Sequence, residues 1–446
     1  MRCAFVAAAA VLCMATTAAA DKIAEIVVED NVKTTSETVA FIAHLSVGDD
    51  WTPDLADKAR EYLVTSGLFK DVDVFYDTVP SGIRVHLIVK DKHSWIVAPA
   101  FYNQPTNFGG GIGFGENNLA GLNQKLLLYA QVATGDSFFV GAWVIPSIGG
   151  THLYAQVDTY LDSGREIEYA APTKYVDNPG PVRLSRMAYL NGGLKLGYEP
   201  FHGIKIDDRI RAAYVSYSDV HLDDNARIQD VTGDPTSDPM KVPKPGSEGW
   251  DVSDELTFTV DRRADWYGIQ SGYLYSAQLE FSLPALGSDF RYWDAHLSFL
   301  RAMKILDHHN LVYKGGIDYG HHLPFQQEFT TGGTSMRGWL NNQFRGDFHP
   351  WATVEYSVPL FTVYGLSVRG LGFWDSAYTT FLTTTNPERD YLPNSAVRGL
   401  DGFKNSVGVG TRLYLRQVVL PLLGLDFGYG LEARDFQIYL AVGLTN

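Results

Sequence analysis

From about residue 94 onward, apolar and polar side chains alternate in runs of roughly ten residues, separated by Gly, Asn, Asp and Pro. Between Thr151 and Asp162, Leu153, Ala155, Val157 and Leu161 fall on one face of an extended strand. His152, Tyr154, Gln156, Asp158 and Asp162 fall on the other. Near the C-terminus Phe436, Ile438, Leu440, Val442 and Leu444 alternate with Gln437, Tyr439, Ala441, Gly443 and Thr445. A tilted strand that crosses a bilayer with one face to lipid and one to a polar lumen needs about ten residues in this period-two pattern. The spacing predicts a transmembrane β-barrel over 94–446, with about sixteen antiparallel strands. Their centres lie near Ala98, Gly113, Leu128, Phe139, Gln156, Gly193, Tyr214, Thr257, Leu279, His296, Gly316, Val354, Arg369, Gly408, Leu425 and Leu440.

The segment before this region reads differently. Ile23–Val28, Val72–Tyr76 and Ile83–Val89 are predicted strands, and 35–43 and 52–66 predicted helices. The second helix has Thr52-Pro53 as N-cap and first turn, an apolar stripe of Leu55, Ala59, Tyr62 and Leu63, and Gly67 as its stop. Residues 21–92 therefore form one small α+β domain. Ahead of it, Met1–Ala20 has Arg2, an apolar run from Ala4 to Met14 and Ala18-Ala19-Ala20, the pattern of a removable signal peptide. Both cysteines, Cys3 and Cys13, lie in that segment, so the mature chain offers no thiol for a disulfide, a metal or a nucleophile.

If 21–92 is periplasmic, odd-to-even strand connections face outward. This puts the long ones, 163–181, 219–250, 322–349 and 376–404, outside, and short turns such as 358–362 and 415–418 inside. Aromatic content of 13 % and 43 glycines suit interfacial girdles and a bending wall. The net charge of −15 argues against a nucleic-acid partner.

The most specific chemistry lies between the eleventh and twelfth strands, where Gly332-Gly333-Thr334-Ser335-Met336-Arg337-Gly338-Trp339-Leu340 interrupts the alternation. A guanidinium in a narrow lumen requires carboxylates, and its planar fork suits bidentate pairing. Alternation turns Glu355 inward if Val354, Tyr356 and Val358 face lipid, and turns Phe373 and Asp375 inward on Gly370-Leu371-Gly372-Phe373-Trp374-Asp375. Two other Val-Arg-Gly sites, at Arg369 and Arg398, lack the double-glycine lead and the long loop.

The Met-Arg-Gly-Trp loop resembles the Val/Ile-Arg-Gly-Tyr/Phe signature of the superfamily containing BamA, TamA and two-partner-secretion transporters. Met336 and Trp339 depart from it while keeping apolar and aromatic character. Gly370–Asp375 resembles its Gly-x-Phe-x-Asp strand, Asn118-Leu119-Ala120-Gly121 its early turn, and Asp261–Asp265 its Asp-x-Arg-Asp turn. Residues 62–72 look like the helix-to-strand junction of a POTRA domain. The resemblance implies a single-POTRA member whose sixth loop folds into the lumen. Arg337, Gly338, Trp339, Glu355, Phe373 and Asp375 would then form a loop-to-lumen latch. It further implies assembly, insertion or translocation of polypeptides in a Gram-negative outer membrane. The implied partners are outer-membrane lipids, unfolded periplasmic clients and accessory lipoproteins. No cofactor, metal or enzymatic step is implied.

The alternatives are a passive porin-like channel and, third, a barrel-embedded hydrolase. No Gly-x-Ser-x-Gly elbow or P-loop is present. His308-His309 and His321-His322 each point to opposite faces of a strand, which suits no metal site, and Asp223, Asp224, Asp234 and Asp238 read as a solvated loop. The chain ends Gly443-Leu444-Thr445-Asn446, without the terminal aromatic usual in outer-membrane barrels; Phe436 and Tyr439 are the nearest substitutes.

Overall fold

The computed structural model describes residues 21–169, 181–222, 228–229, 235–236, 248–266, 269–363, 366–382, 402–415 and 418–442. Met1–Ala20, the Asp223–Asp238 acidic positions, Arg398 and the last four residues lie outside the described residues. The chain divides into two compact units, one of residues up to 94 with 120–123, the other of 95–119 and everything from 124.

In the first unit, β1 (Ile23–Glu29) runs parallel to β3 (Gly82–Asp91), which pairs antiparallel with β2 (Phe69–Val79), giving the order β1-β3-β2. Helices α1 (Ser36–Ile42) and α2 (Pro53–Thr65) supply the other half of its core. The apolar stripe of α2 buries Ala59 and Leu63 against Val85, Leu87 and Val89 of the central strand, whose alternating residues face the helices. Tyr62 stays exposed at the edge of the stripe. Thr35 caps α1 by accepting the Thr38 N–H at 3.2 Å. The expected Thr52 cap differs: its backbone takes the N-cap position but its side chain makes no capping bond, and Pro53 in the first turn already removes one of the orphan N–H groups.

In the second unit, sixteen described strands close an antiparallel barrel, counting the short Ala264–Trp266 segment with the strand before it. Each of the sixteen predicted centres falls within one of them. Closure pairs the wall's backbone groups without a free sheet edge of full length, as a structure in hydrocarbon requires. The alternation sorts as expected: Leu153, Val157 and Leu161 are open on the outer face, and Asp162 is buried on the inner one.

Even-to-odd connections span at most seven residues, whereas the odd-to-even end carries the connections after Tyr169, Leu222, His321 and Tyr378. Strand runs into the predicted connections, and two show this clearly. Ser163–Tyr169 continues a strand that pairs as far as Tyr169 with Pro181, because its polar residues still alternate on the inner face. Val358–Val363 also remains in the wall, with a register shift between Pro359 and Phe361 that lets a proline sit in a strand without breaking the ladder.

Among the described residues the ladder is shortest where the barrel closes. The last strand, Asp435–Val442, meets the first, Trp95–Gln104, through Leu440 with Asn103, Ala441 with Tyr102 and Val442 with Phe101. On their other sides the same two strands pair from Leu423–Val442 to Gly430–Asp435 and from Trp95–Glu116 to Gln104–Asn107.

Candidate functional site, a loop latched to the barrel wall

The connection between strands Asn310–His321 and Phe348–Val363 folds as a hairpin. Phe329, Thr330 and Thr331 pair with Gly346, Arg345 and Phe344, so residues 332–343 form its tip. Gly332 and Gly333 both have positive φ, and the Gly333 N–H donates to the Trp339 carbonyl at 3.1 Å, closing the tip around Arg337. The double glycine thus serves a turn that β-carbon-bearing residues would strain.

Arg337 is buried and held by carboxylates from three wall strands. Its Nε–H and Nη2–H donate to the two oxygens of Asp375, each at 2.9 Å, and its backbone N–H adds a bond of 3.2 Å to Oδ2. Nη1 lies 2.7 Å from Glu355 Oε1 and 3.4 Å from Asp426 Oδ2. The guanidinium carbon sits 3.5 Å from the centre of the Phe373 ring, a cation–π stack worth about 1–2 kcal/mol where water is excluded. Arg412 neutralises the far side of Asp426 through bonds of 2.6 and 2.8 Å. Three carboxylates and two guanidiniums therefore form one ion-paired cluster, with the fork of Arg337 matched to Asp375.

These partners face the lumen because their neighbours face out. Trp374 and Tyr356 are exposed on the outer surface, whereas Asp375 and Phe373 are buried between strand and loop. The structure thus brings together Arg337, Glu355, Phe373 and Asp375. Gly338 and Trp339 join them from the other side of the tip. Gly338 has φ +98 and lies flat on the wall, where a β-carbon would stand 2.6 Å from the Gly430 backbone nitrogen. A β-carbon on Gly428 would likewise stand 2.6 Å from the Gly338 nitrogen. Trp339 packs edge-on against Phe344 at 5.1 Å within a small buried cluster that includes Met336 and Ala377.

Several participants were not nominated from the sequence. Asp426, Arg412, Gly428 and Gly430 lie on strands 403–415 and 418–430, and Tyr439 on the last strand. The inward-facing series Gly424, Asp426, Gly428, Gly430 was the available signal, since small residues at period two mark a wall that another backbone approaches closely. Tyr439, expected among the aromatics near the C-terminus as a substitute assembly signal, instead points inward and is bonded to the loop. At the hairpin base, Arg345 pairs with Glu166 and stacks on Phe325 at 3.8 Å, and Gln327 donates to Asp251 at 3.0 Å.

Residues 118–444 match the family model described as the Omp85 superfamily domain. No curated protein matches the chain. Among solved structures, the fold is similar to BamA from Haemophilus ducreyi lacking POTRA domains 1–3, with a TM-score of 0.62 and 14 % identity over 95 % of this chain and 84 % of that one. It is similar also to CdiB from Escherichia coli, with a TM-score of 0.63 and 14 % identity over 95 % of this chain and 76 % of that one. CdiB from Acinetobacter baumannii gives 0.61 and 14 %, over 95 % and 74 %.

Proposed function

We propose, for a chain that belongs to the Omp85 superfamily, that its outer-membrane barrel inserts polypeptides into the bilayer or translocates them across it, working at the seam between first and last strands. The observation that carries this reading is the closing ladder, which among the described residues holds three residue pairs. Strand edges that are weakly paired can accept an extended client through backbone hydrogen bonds, with little demand on its sequence. Lowering an insertion barrier in this way forms no covalent bond and calls for no cofactor, nucleotide or metal, so the protein is not an enzyme in the chemical sense.

The small unit of β1-β3-β2 with two helices serves in this reading as a single POTRA-type module on the periplasmic side. It would receive unfolded clients, with accessory lipoproteins as further partners and the surrounding lipid as the destination. The porin-like alternative is disfavoured by the latch, because a freely conducting lumen gains nothing from a loop folded against its inner wall by a buried ion cluster.

Deleting residues 21–92 tests the reading. Heat-modifiable gel migration should remain, because the wall strands pair among themselves, while assembly of outer-membrane or secreted clients should be lost. Unchanged client assembly in the deletion would put the channel reading first.

A further inference from the structure

The loop that carries Arg337 touches both strands of the seam at the point where their ladder stops. The three seam pairs begin with Leu440 and Asn103. In an antiparallel register the next facing positions are Tyr439 and Gln104. Among the described residues these two are not ladder partners; each is bonded to the loop instead. The Tyr439 hydroxyl accepts the Gly338 N–H at 3.0 Å and donates to the Trp339 carbonyl at 2.8 Å. The Gln104 Oε1 accepts from the Asn341 side-chain amide at 2.8 Å.

Within the stretch from Gly338 to Asn341 the chain therefore passes from the last strand to the first. It covers the place where a fourth pair would form. Beyond it, Asp435–Ile438 has no ladder partner on the seam side among the described residues, because the first strand ends at Gln104. Tyr439 is only 5 % exposed, so its hydroxyl bonds are shielded from water. Three hydrogen bonds from the loop thus stand directly beside the ladder pairs of the described residues.

We infer that residues 338–341 are a strap across the seam, with Tyr439 and Asn341 as the positioning residues that couple docking of the loop to closure of the first and last strands. Release of the strap and opening of the seam are then one event. The functional meaning of this coupling rests on the seam being the working edge, as proposed above, but the coupling itself is measurable without a client.

The test uses the full chain in planar bilayers. Tyr439→Phe combined with Asn341→Ala removes all three bonds while keeping the ring, and should raise the frequency of open-state bursts several-fold. Adding Leu440→Cys and Asn103→Cys, which face each other across the seam, should return bursts to the wild-type level on oxidation and release them on reduction. A merely structural defect would not respond to the redox state of a seam disulfide. Gln104→Ala removes the first-strand foot alone and should act in the same direction with protease protection near Trp339 retained, which guards against a misfolded double variant. Unchanged bursts in both variants, or bursts that the seam disulfide fails to suppress, would overturn the strap. Client assembly is measured in parallel: disulfide-suppressible bursts with normal client assembly would support the strap and count against the proposed function alone.

Discussion

Arg337 has its Nε, Nη1 and Nη2 groups directed at carboxylates on three strands, and its own strand of contact is a loop that could otherwise leave the wall. Removing the guanidinium strands Asp375, which is almost fully buried, beside Glu355 and Asp426. Breaking a buried pair from one side costs on the order of 3–5 kcal/mol, less where lumen water screens the partner, as it does at the partly open Glu355. Arg337→Ala should therefore free the loop, seen as faster proteolysis near Trp339, and impair client assembly more than heat-modifiable migration. Arg337→Lys should rescue only in part, since an ammonium cannot bond both oxygens of Asp375 in one plane. Wild-type protection in Arg337→Ala would show that the ion cluster does not hold the loop. Strand alternation and the Gly-x-Phe-x-Asp resemblance were enough to place Glu355, Phe373 and Asp375 on the lumen face with Arg337. The inward face of Asp426 was legible in the same way, but its pairing with Arg337, and that of Tyr439 with the loop, was not, because matching them requires knowing how far the strands stagger around the barrel, and a period-two pattern carries no information on stagger.

At the scale of elements, the strands were readable because every one presents a half-apolar face, while their ends were not. Ser163–Tyr169 and Val358–Val363 stay in the wall where turn residues suggested connections, since pairing with a long neighbour outweighs local turn preference. In the small unit, the segment before α1 is tied to the end of β3 by Asp91. Its carboxylate accepts the backbone N–H groups of Val32 and Lys33, both at 2.8 Å, and bonds the Thr34 hydroxyl. Partial burial alone would raise its pKa, but the Thr34 hydroxyl and the three backbone donors outweigh that and hold it below the ordinary aspartate value. A carboxyl depressed on folding contributes stability that is complete above its unfolded pKa of about 3.9 and is lost as pH falls through the lower folded value. Hydrogen-exchange protection at residues 32–35, measured against the intrinsic rate at each pH, should therefore fall on acidification through that range in the wild-type chain. Asp91→Asn should exchange faster at neutral pH and lose this acid limb; an unchanged acid limb would assign it to another carboxylate.

For the whole molecule, direction of insertion follows from connection length. The barrel's even-to-odd turns are all short, and the connections that exceed them belong to the opposite end. Long loops on the outer side and short turns on the periplasmic side are the arrangement such barrels adopt. The chain enters the wall at Trp95 from the short-turn end, so the proposed function expects residues 21–92 on the periplasmic side. The chain's two cysteines are Cys3 and Cys13, both in the segment expected to be removed as a leader, so single thiols introduced elsewhere are expected to report cleanly. Leu286→Cys, exposed in the connection between strands Ile269–Ser282 and Tyr292–Lys304, should label with a membrane-impermeant maleimide on intact cells. Asp71→Cys, exposed on β2, should label only after the outer membrane is permeabilised. The reverse pattern would invert the barrel, put the latch hairpin at the periplasmic mouth and leave the small unit without access to periplasmic clients.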